Sequence, residues 1–486
     1  MQEHFDVLVV GAGISGIGAG YHLQTKCPGI SYAILEGRDS IGGTWDLFKF
    51  PGIRSDSDMY TLGYRFKPWK EQEAIADAPS ILKYLKETTE EFGIDKKIRF
   101  NKYVKAASWV GQESKWILEI EDVKNSDIQK ISCNFLFMCS GYYSYKSGYT
   151  PEFKGVEDFH GDVIHPQKWE KDYNYTNKRI IVVGSGATAV TIVPEMAKNA
   201  EHVTMLQRSP TYVVSAPEKD YLANLLRRFI PLKLSYFIIR WRNILRQQYY
   251  FRLCKKYPEG VKNAILSEVR KHLGPDYDVD THFTPTYNPW DQRMCLVPDG
   301  DLFEQINKGK ASVVTGQIEK FTQKGILLKS GEELESDVIV TATGLNLELL
   351  SDTNFTVDNK PINLSQTITY KGMMYSGIPN LAGTFGYTNA SWTLGADLTS
   401  EYVCRLINYM KKNGYDKCMP DTNSSVETDD EWLNLTSGYI KRSEHIFPKQ
   451  GKKAPWRNNQ NFLKDIFQIR YGKVDDGEIS FSQNNS

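Results

Sequence analysis

Two glycine fingerprints, each directly behind a short valine-rich run, constrain this 486-residue chain more than any other feature. The first run is Phe5-Asp6-Val7-Leu8-Val9-Val10. It leads into Gly11-Ala12-Gly13-Ile14-Ser15-Gly16, with a helical pattern from Ile17 to Gln24. The second run is Arg179-Ile180-Ile181-Val182-Val183, followed by Gly184-Ser185-Gly186-Ala187-Thr188-Ala189. A strand buried on both faces has this apolar composition. A strand, a glycine turn and a helix in succession form the Rossmann fingerprint. In the first copy, Gly11 permits the turn, Gly13 lets a pyrophosphate reach the backbone, and Gly16 brings helix and strand together. In the second copy Gly184, Gly186, Ala187 and Thr188 hold the equivalent places, and Ala189 replaces the third glycine. Two fingerprints predict two dinucleotides, most simply a flavin and the nicotinamide that reduces it.

The residues after the next strand separate the two sites. Ser31 to Leu35 ends at Glu36, whose carboxylate suits ribose hydroxyls and repels a further phosphate. FAD or NAD fits there, and the competing reading of Glu36 is an ordinary exposed strand end. His202 to Gln207 ends instead at Arg208-Ser209. A guanidinium grips a 2′-phosphate through charge-assisted bonds worth about 1.5–3 kcal/mol each. NADPH is therefore expected at the second site, with a plain surface arginine as the alternative. Gly42-Gly43-Thr44-Trp45 adds a further segment that can approach phosphate or isoalloxazine closely.

The remaining composition narrows the class. Formal net charge is zero, which argues against nucleic acid as a main partner. Seven cysteines without a CxxC fit a reduced, cytoplasmic protein and argue against a disulfide reductase. No signal peptide, membrane-spanning run or metal-ligand spacing is expected.

Between the fingerprints stands Phe159-His160-Gly161-Asp162-Val163-Ile164-His165-Pro166-Gln167-Lys168-Trp169. Phe159, Gly161, His165 and Trp169 match FxGxxxHxxxW, so the chain resembles the type I Baeyer–Villiger monooxygenases among the class B flavoprotein monooxygenases. Relatives that oxygenate amines and sulfides usually carry Tyr or Phe in place of Trp169. The motif also fits an aromatic linker between domains, with His165 conformational rather than an acid or base. Gly52 to Asp56 resembles the family's GxRxD segment, Gln292-Arg293 its Lys-Arg pair, and Ala342-Thr343-Gly344 its ATG segment. The segments Asn288 to Arg293, Gly386 to Leu394 and Pro448 to Gly451 look most like the ethionamide-activating subgroup.

The resemblance implies FAD and NADPH as cofactors and O2 and a ketone as substrates. The product would be an ester or lactone formed through a C4a-peroxyflavin, with sulfides or thioamides as second substrates. Arg293 is the implied catalytic cation and Asp56 its partner, the bland reading being a surface salt bridge. Gln292 replaces the family's lysine, which implies a weaker preference for NADPH over NADH. Trp392 either lines the nicotinamide or substrate space or is a core residue. A flavin monooxygenase restricted to nitrogen or sulfur, or an uncoupled NADPH oxidase, are the alternative functions.

The expected fold is α/β: two Rossmann-type domains, each discontinuous, with a small helical insertion. The FAD domain takes residues 1–147 and 345–486, the latter including the C-terminal tail. The linker and NADPH domain take 148–215 and 292–344, and the insertion takes 216–291. Tyr221 to Tyr257 holds nine Lys or Arg and no Asp or Glu. It is read as a helical cap over the active site with its charges in solvent, in preference to a basic amphipathic helix on an anionic membrane.

Overall fold

The computed structural model describes residues 3–422, 426–429, 432 and 436–484. Strand Glu3–Val10 lies between Tyr32–Leu35 and Ile128–Met138 and pairs in parallel with both. Val7 to Val10 are buried, which is why this run is apolar without alternation. The sheet continues through the antiparallel strands Lys115–Asp122 and Lys102–Val110. Far along the chain, Leu381–Gly383 returns beside Leu136 to Met138 in parallel. Helix Trp392–Asn413 then packs against helix Ile14–Lys26. Side-chain contacts tie these helices together, with His22 Nε2 2.6 Å from Asp397, both buried, and the partly exposed Lys26 Nζ 2.8 Å from Glu401.

A second sheet is wholly parallel, in the order Ala311–Thr315, His202–Gln207, Arg179–Val183, Val338–Thr341, Asp162–Ile164. Its fingerprint strand is central, with neighbours added to both sides, so the strand order reverses at the fingerprint. Ligands bind at such a reversal in open α/β sheets. The α/β class and the two Rossmann-type sheets agree with the sequence reading.

The chain crosses between the sheets twice, and the two crossings pair with each other. Tyr143–Gly148 and Leu345–Leu347 form a two-stranded antiparallel ribbon. The linker motif clamps this ribbon to the second sheet. Phe159 is buried with Ile181, Phe321 and Ile339. Gly161 lies so close to the chain that a Cβ would stand 2.2 Å from the Asp337 carbonyl oxygen. Trp169 is buried edge-on against Tyr173 and Tyr175. His165 Nδ1 accepts from the Gln167 amide at 3.1 Å, which leaves the proton on Nε2 to donate to Gly344 O at 3.2 Å. Burial lowers its pKa and keeps it neutral, as this arrangement requires.

The insertion departs from the expectation of a cap. Its helices include Leu232–Lys256 and Pro258–Leu273. The longer packs Tyr236, Ile239 and Ile244 into the core of the first sheet's domain, and the other sends Leu266 and Val269 into the core of the second. None of its side chains lines the cleft between the sheets, so it braces both halves from outside. Nor are all its charges solvated. Arg240 is 4% exposed and donates from Nη1 to the carbonyls of Tyr60 and Gly63, each at 2.7 Å. Arg242 pairs with Asp220.

Replacing Arg240 strands two buried carbonyls, each costing about 1–3 kcal/mol. Arg240→Leu is therefore expected to lower the thermal midpoint by several degrees, read from release of flavin fluorescence. An unchanged midpoint would mean that the brace carries no stability.

Candidate functional site

A cleft of about 690 Å³ runs from the end of strand Glu3–Val10 to the start of helix Ala187–Met196. Its floor is backbone. Gly11 has φ +101°, and a Cβ there would lie 2.7 Å from the Cys139 carbonyl oxygen. A Cβ on Gly16 would lie 1.8 Å from Gly11 O, so this buried glycine is fixed by packing. A Cβ on Gly13 would meet the Gly43 Cα at 3.6 Å. Two glycine turns thus face each other across a groove that side chains would fill. Helix Ile14–Lys26 starts here with no side-chain cap, so its first amides are open to an anion. Thr44 and Trp45 begin the short helix beyond Gly43 and line the same groove.

Glu36 also lines the cleft but is only 6% exposed, which removes the reading of an ordinary exposed strand end. Its Oε2 accepts from the Ala12 amide at 2.7 Å and its Oε1 from the Arg38 amide at 3.0 Å. Burial raises its pKa, and those two amides oppose the rise. Trp392 is half-buried, packed against the core cluster that holds Tyr142 rather than inside it. Its ring faces the cleft, stacks on Tyr142 at 5.1 Å, and donates from Nε1 to Ser15 Oγ at 2.8 Å.

Asp56 and Arg293 come together in the cleft wall, with Asp56 Oδ2 3.9 Å from Arg293 Nη1. Arg293 Nη2 stands 3.5 Å from the Tyr142 hydroxyl, and its Nε is a buried donor without a partner. Tyr142 first, then Tyr439, Tyr143 and Asp56, raise the Arg293 pKa further, against the desolvation that lowers it. The cation is permanent. Arg54, from the same segment as Asp56, pairs at 2.6 Å with Asp301 of the second half.

The second fingerprint repeats the first. Gly184 has φ +143°, and a Cβ there would lie 2.3 Å from Ala342 O. Gly186 precedes a helix that again lacks a side-chain cap, and a Cβ on it would meet nothing within 4 Å. Ala187 and Thr188 line the cleft. Arg208 and Ser209 are exposed at the end of strand His202–Gln207, outside the cleft lining. Arg208 makes no hydrogen bond or ion pair among the described residues, while Ser209 O accepts from Ser185 Oγ at 3.1 Å. Gln292 is half-buried and likewise lies off the cleft.

The sequence reading missed Tyr142, Tyr143 and Tyr145, which all line the cleft. A signal was present. Cys139-Ser140-Gly141 leaves strand Ile128–Met138 as Ala342-Thr343-Gly344 leaves Val338–Thr341. Each opens with the residue whose carbonyl supports the first glycine of a fingerprint.

The glycines give a clean contrast. Gly16→Ala is expected to abolish flavin retention, because its Cβ meets fixed backbone. Gly186→Ala, whose Cβ meets open space, should fold and keep its flavin like the parent. Equal flavin absorbance in both purified variants would contradict the packing described here.

The residues present fit a dinucleotide at each fingerprint, and the comparisons with known proteins agree. A flavin-binding monooxygenase-like family matches residues 73–447, and an NAD(P)-binding Rossmann-like domain matches residues 9–70. The chain is 53% identical over 484 residues to the FAD-containing monooxygenase EthA of Mycobacterium tuberculosis, covering 99% of each chain. It is 47% identical to a probable FAD-binding monooxygenase AlmA of an Acinetobacter species, covering 99% of this chain and 97% of that one. Among solved structures, an NADP-bound oxidised steroid monooxygenase superposes with a TM-score of 0.79 at 21% identity, covering 99% of this chain and 100% of that one. A cyclohexanone monooxygenase bound to ε-caprolactone gives 0.78 at 19%, with the same coverage. Half-identity across its length and a family match over most of it make this chain a member of the flavin-binding monooxygenase-like family, a flavin-dependent monooxygenase with an NAD(P)-binding Rossmann-like domain.

Proposed function

We propose that this enzyme inserts one oxygen atom of O2 beside a ketone carbonyl. Ketone, O2, NADPH and a proton become an ester or lactone, NADP+ and water. The observation that carries the reading is Arg293, a permanent cation in the cleft wall with a buried, unpartnered Nε. The steroid and cyclohexanone monooxygenases named above share the fold, and the second has a lactone bound. Trp169 of the linker motif favours the same subgroup.

When bound and reduced, FAD supplies activated oxygen to the substrate. The chain's part is to position and to stabilise. Arg293 balances the negative charge that develops at the reacting centre, a preorganised electrostatic stabilisation. As an arginine it gives up no proton near neutral pH, whereas a lysine could. Asp56 and the Tyr142 hydroxyl hold its direction. The stacked rings of Tyr142 and Trp392 form part of the cleft wall beside Arg293. The glycine grooves and uncapped helix amides take the pyrophosphates, FAD at Gly11, Gly13 and Gly43 and NADPH at Gly184 and Gly186. Glu36 takes the FAD ribose. Arg208 and Ser209 take the 2′-phosphate, with no help from the neutral Gln292. Electron-rich sulfides and thioamides would be its second substrates.

Product analysis by mass spectrometry tests this. With NADPH, O2, mixed ketones and one aryl thioether, esters or lactones are expected. Sulfoxide alone would make it a heteroatom oxygenase, and hydrogen peroxide alone an uncoupled oxidase. Arg293→Ala should keep FAD and lose ester formation by at least about a hundredfold; an undiminished rate would remove Arg293 from the reaction. Arg208→Ala should raise the KM for NADPH about ten- to hundredfold and leave that for NADH unchanged. An equal effect on both cofactors would refute the 2′-phosphate contact.

A further inference from the structure

Helix Leu232–Lys256 is apolar on both sides, although only one side is buried. Tyr236, Ile239 and Ile244 face the core. Leu234, Phe237, Ile238, Leu245 and Tyr249 recur at helical spacing on the opposite face and are 49%, 56%, 41%, 51% and 65% exposed. A helix that is hydrophobic all round is normally buried, so this outer face lacks a partner. The preceding helix Tyr221–Leu226 and the turn after it add Tyr221 and Phe229, 73% and 77% exposed. Ring contacts run from Phe237 to Trp241 and on to Phe462, in the segment that also bears the exposed Phe467 and Tyr471.

The unpaired charges of this helix and of the turn before it share one sign. Arg228, Lys233, Arg246 and Arg252 are exposed and have no ion-pair partner among the described residues. No acid occurs from Tyr221 to Tyr257, and the adjacent Asp220 is taken by Arg242. Two copies of such a face would repel each other, whereas an anionic bilayer complements both its charge and its apolar side chains. Among the described residues no helix is long and apolar enough to cross a membrane, so contact would be superficial.

We propose that the outer face of helix Leu232–Lys256, with the turn around Phe229, docks the enzyme on anionic lipid surfaces. Exposed aromatic and aliphatic side chains enter the headgroup region, and the free arginines and lysine bind lipid phosphates. The face lies outside the cleft, so docking leaves the cofactor sites unobstructed.

The test is sedimentation of the FAD-loaded full chain with vesicles. Vesicles of phosphatidylcholine mixed with phosphatidylglycerol should carry down most of the protein, and phosphatidylcholine alone little. High salt should weaken binding. Phe229→Ser with Phe237→Ser, and separately Arg246→Gln with Arg252→Gln, should each lower the bound fraction at least about fivefold. Both variants change only exposed side chains, and unchanged flavin content and NADPH oxidation check their folding. No binding to the anionic vesicles, or equal binding by parent and variants, would overturn the proposal. So would light scattering that showed a dimer broken by the variants without vesicle binding, since a second copy would then cover this face.

Discussion

Everything in this fold depends on a backbone contact made twice. The first glycine of each fingerprint lies against the carbonyl of a segment leaving a neighbouring strand: Gly11 on Cys139, and Gly184 on Ala342. Both contacts require positive φ and the absence of a side chain. They bring a strand end, a helix start and a strand exit to one point, with uncapped amides facing outward. That convergence is what permits phosphate to approach. It also fixes where the chain leaves each sheet, and hence where the crossing ribbon begins and ends.

The ribbon follows from the same contacts. Residues Tyr143–Gly148 start just after Gly141, and Leu345–Leu347 start just after Gly344. The two halves therefore meet through strands rooted at their own nucleotide sites. His165 packs against Gly148, so closely that a Cβ there would fall within 1.8 Å of its ring, and it hydrogen-bonds Gly344. One imidazole thus touches the end of the first crossing strand and the residue that leads into the second. This explains a histidine and a tryptophan between two nucleotide folds without giving either a chemical step.

What was legible in the sequence is what consecutive residues decide. Strand, glycine turn and helix are local, and so is the sign of the residue that ends the next strand. What was not legible depends on distant pairing. Trp392 reaches Ser15 across most of the chain, and Tyr142 gains its meaning only when Arg293 is brought beside it. The basic run of 221–257 shows the limit best. As a sequence it is one block of charge, but the fold divides it. Arg240 is buried on carbonyls, Arg242 and Lys255 are paired with acids, and Arg228, Lys233, Arg246, Arg252 and Lys256 are exposed without an ion-pair partner among the described residues. Composition gives the charge of a helix, and only packing tells which side of it meets water.

The two nucleotide sites share one motif yet differ in enclosure, and enclosure suits their different tasks. Around the first site the chain closes from three directions: the turn at Gly43, the aromatic segment Tyr142 to Tyr145, and Trp392 from the returning half. Glu36 is buried there. Around the second, Gly186 and Ala187 stand exposed, and Arg208 and Ser209 lie on an open shelf beyond the cleft. A group bound by the first set must break contacts to several segments at once to leave, which slows its release. A group on the shelf meets few such barriers. The same glycines begin both sites, yet only the first is enclosed by other segments of the chain.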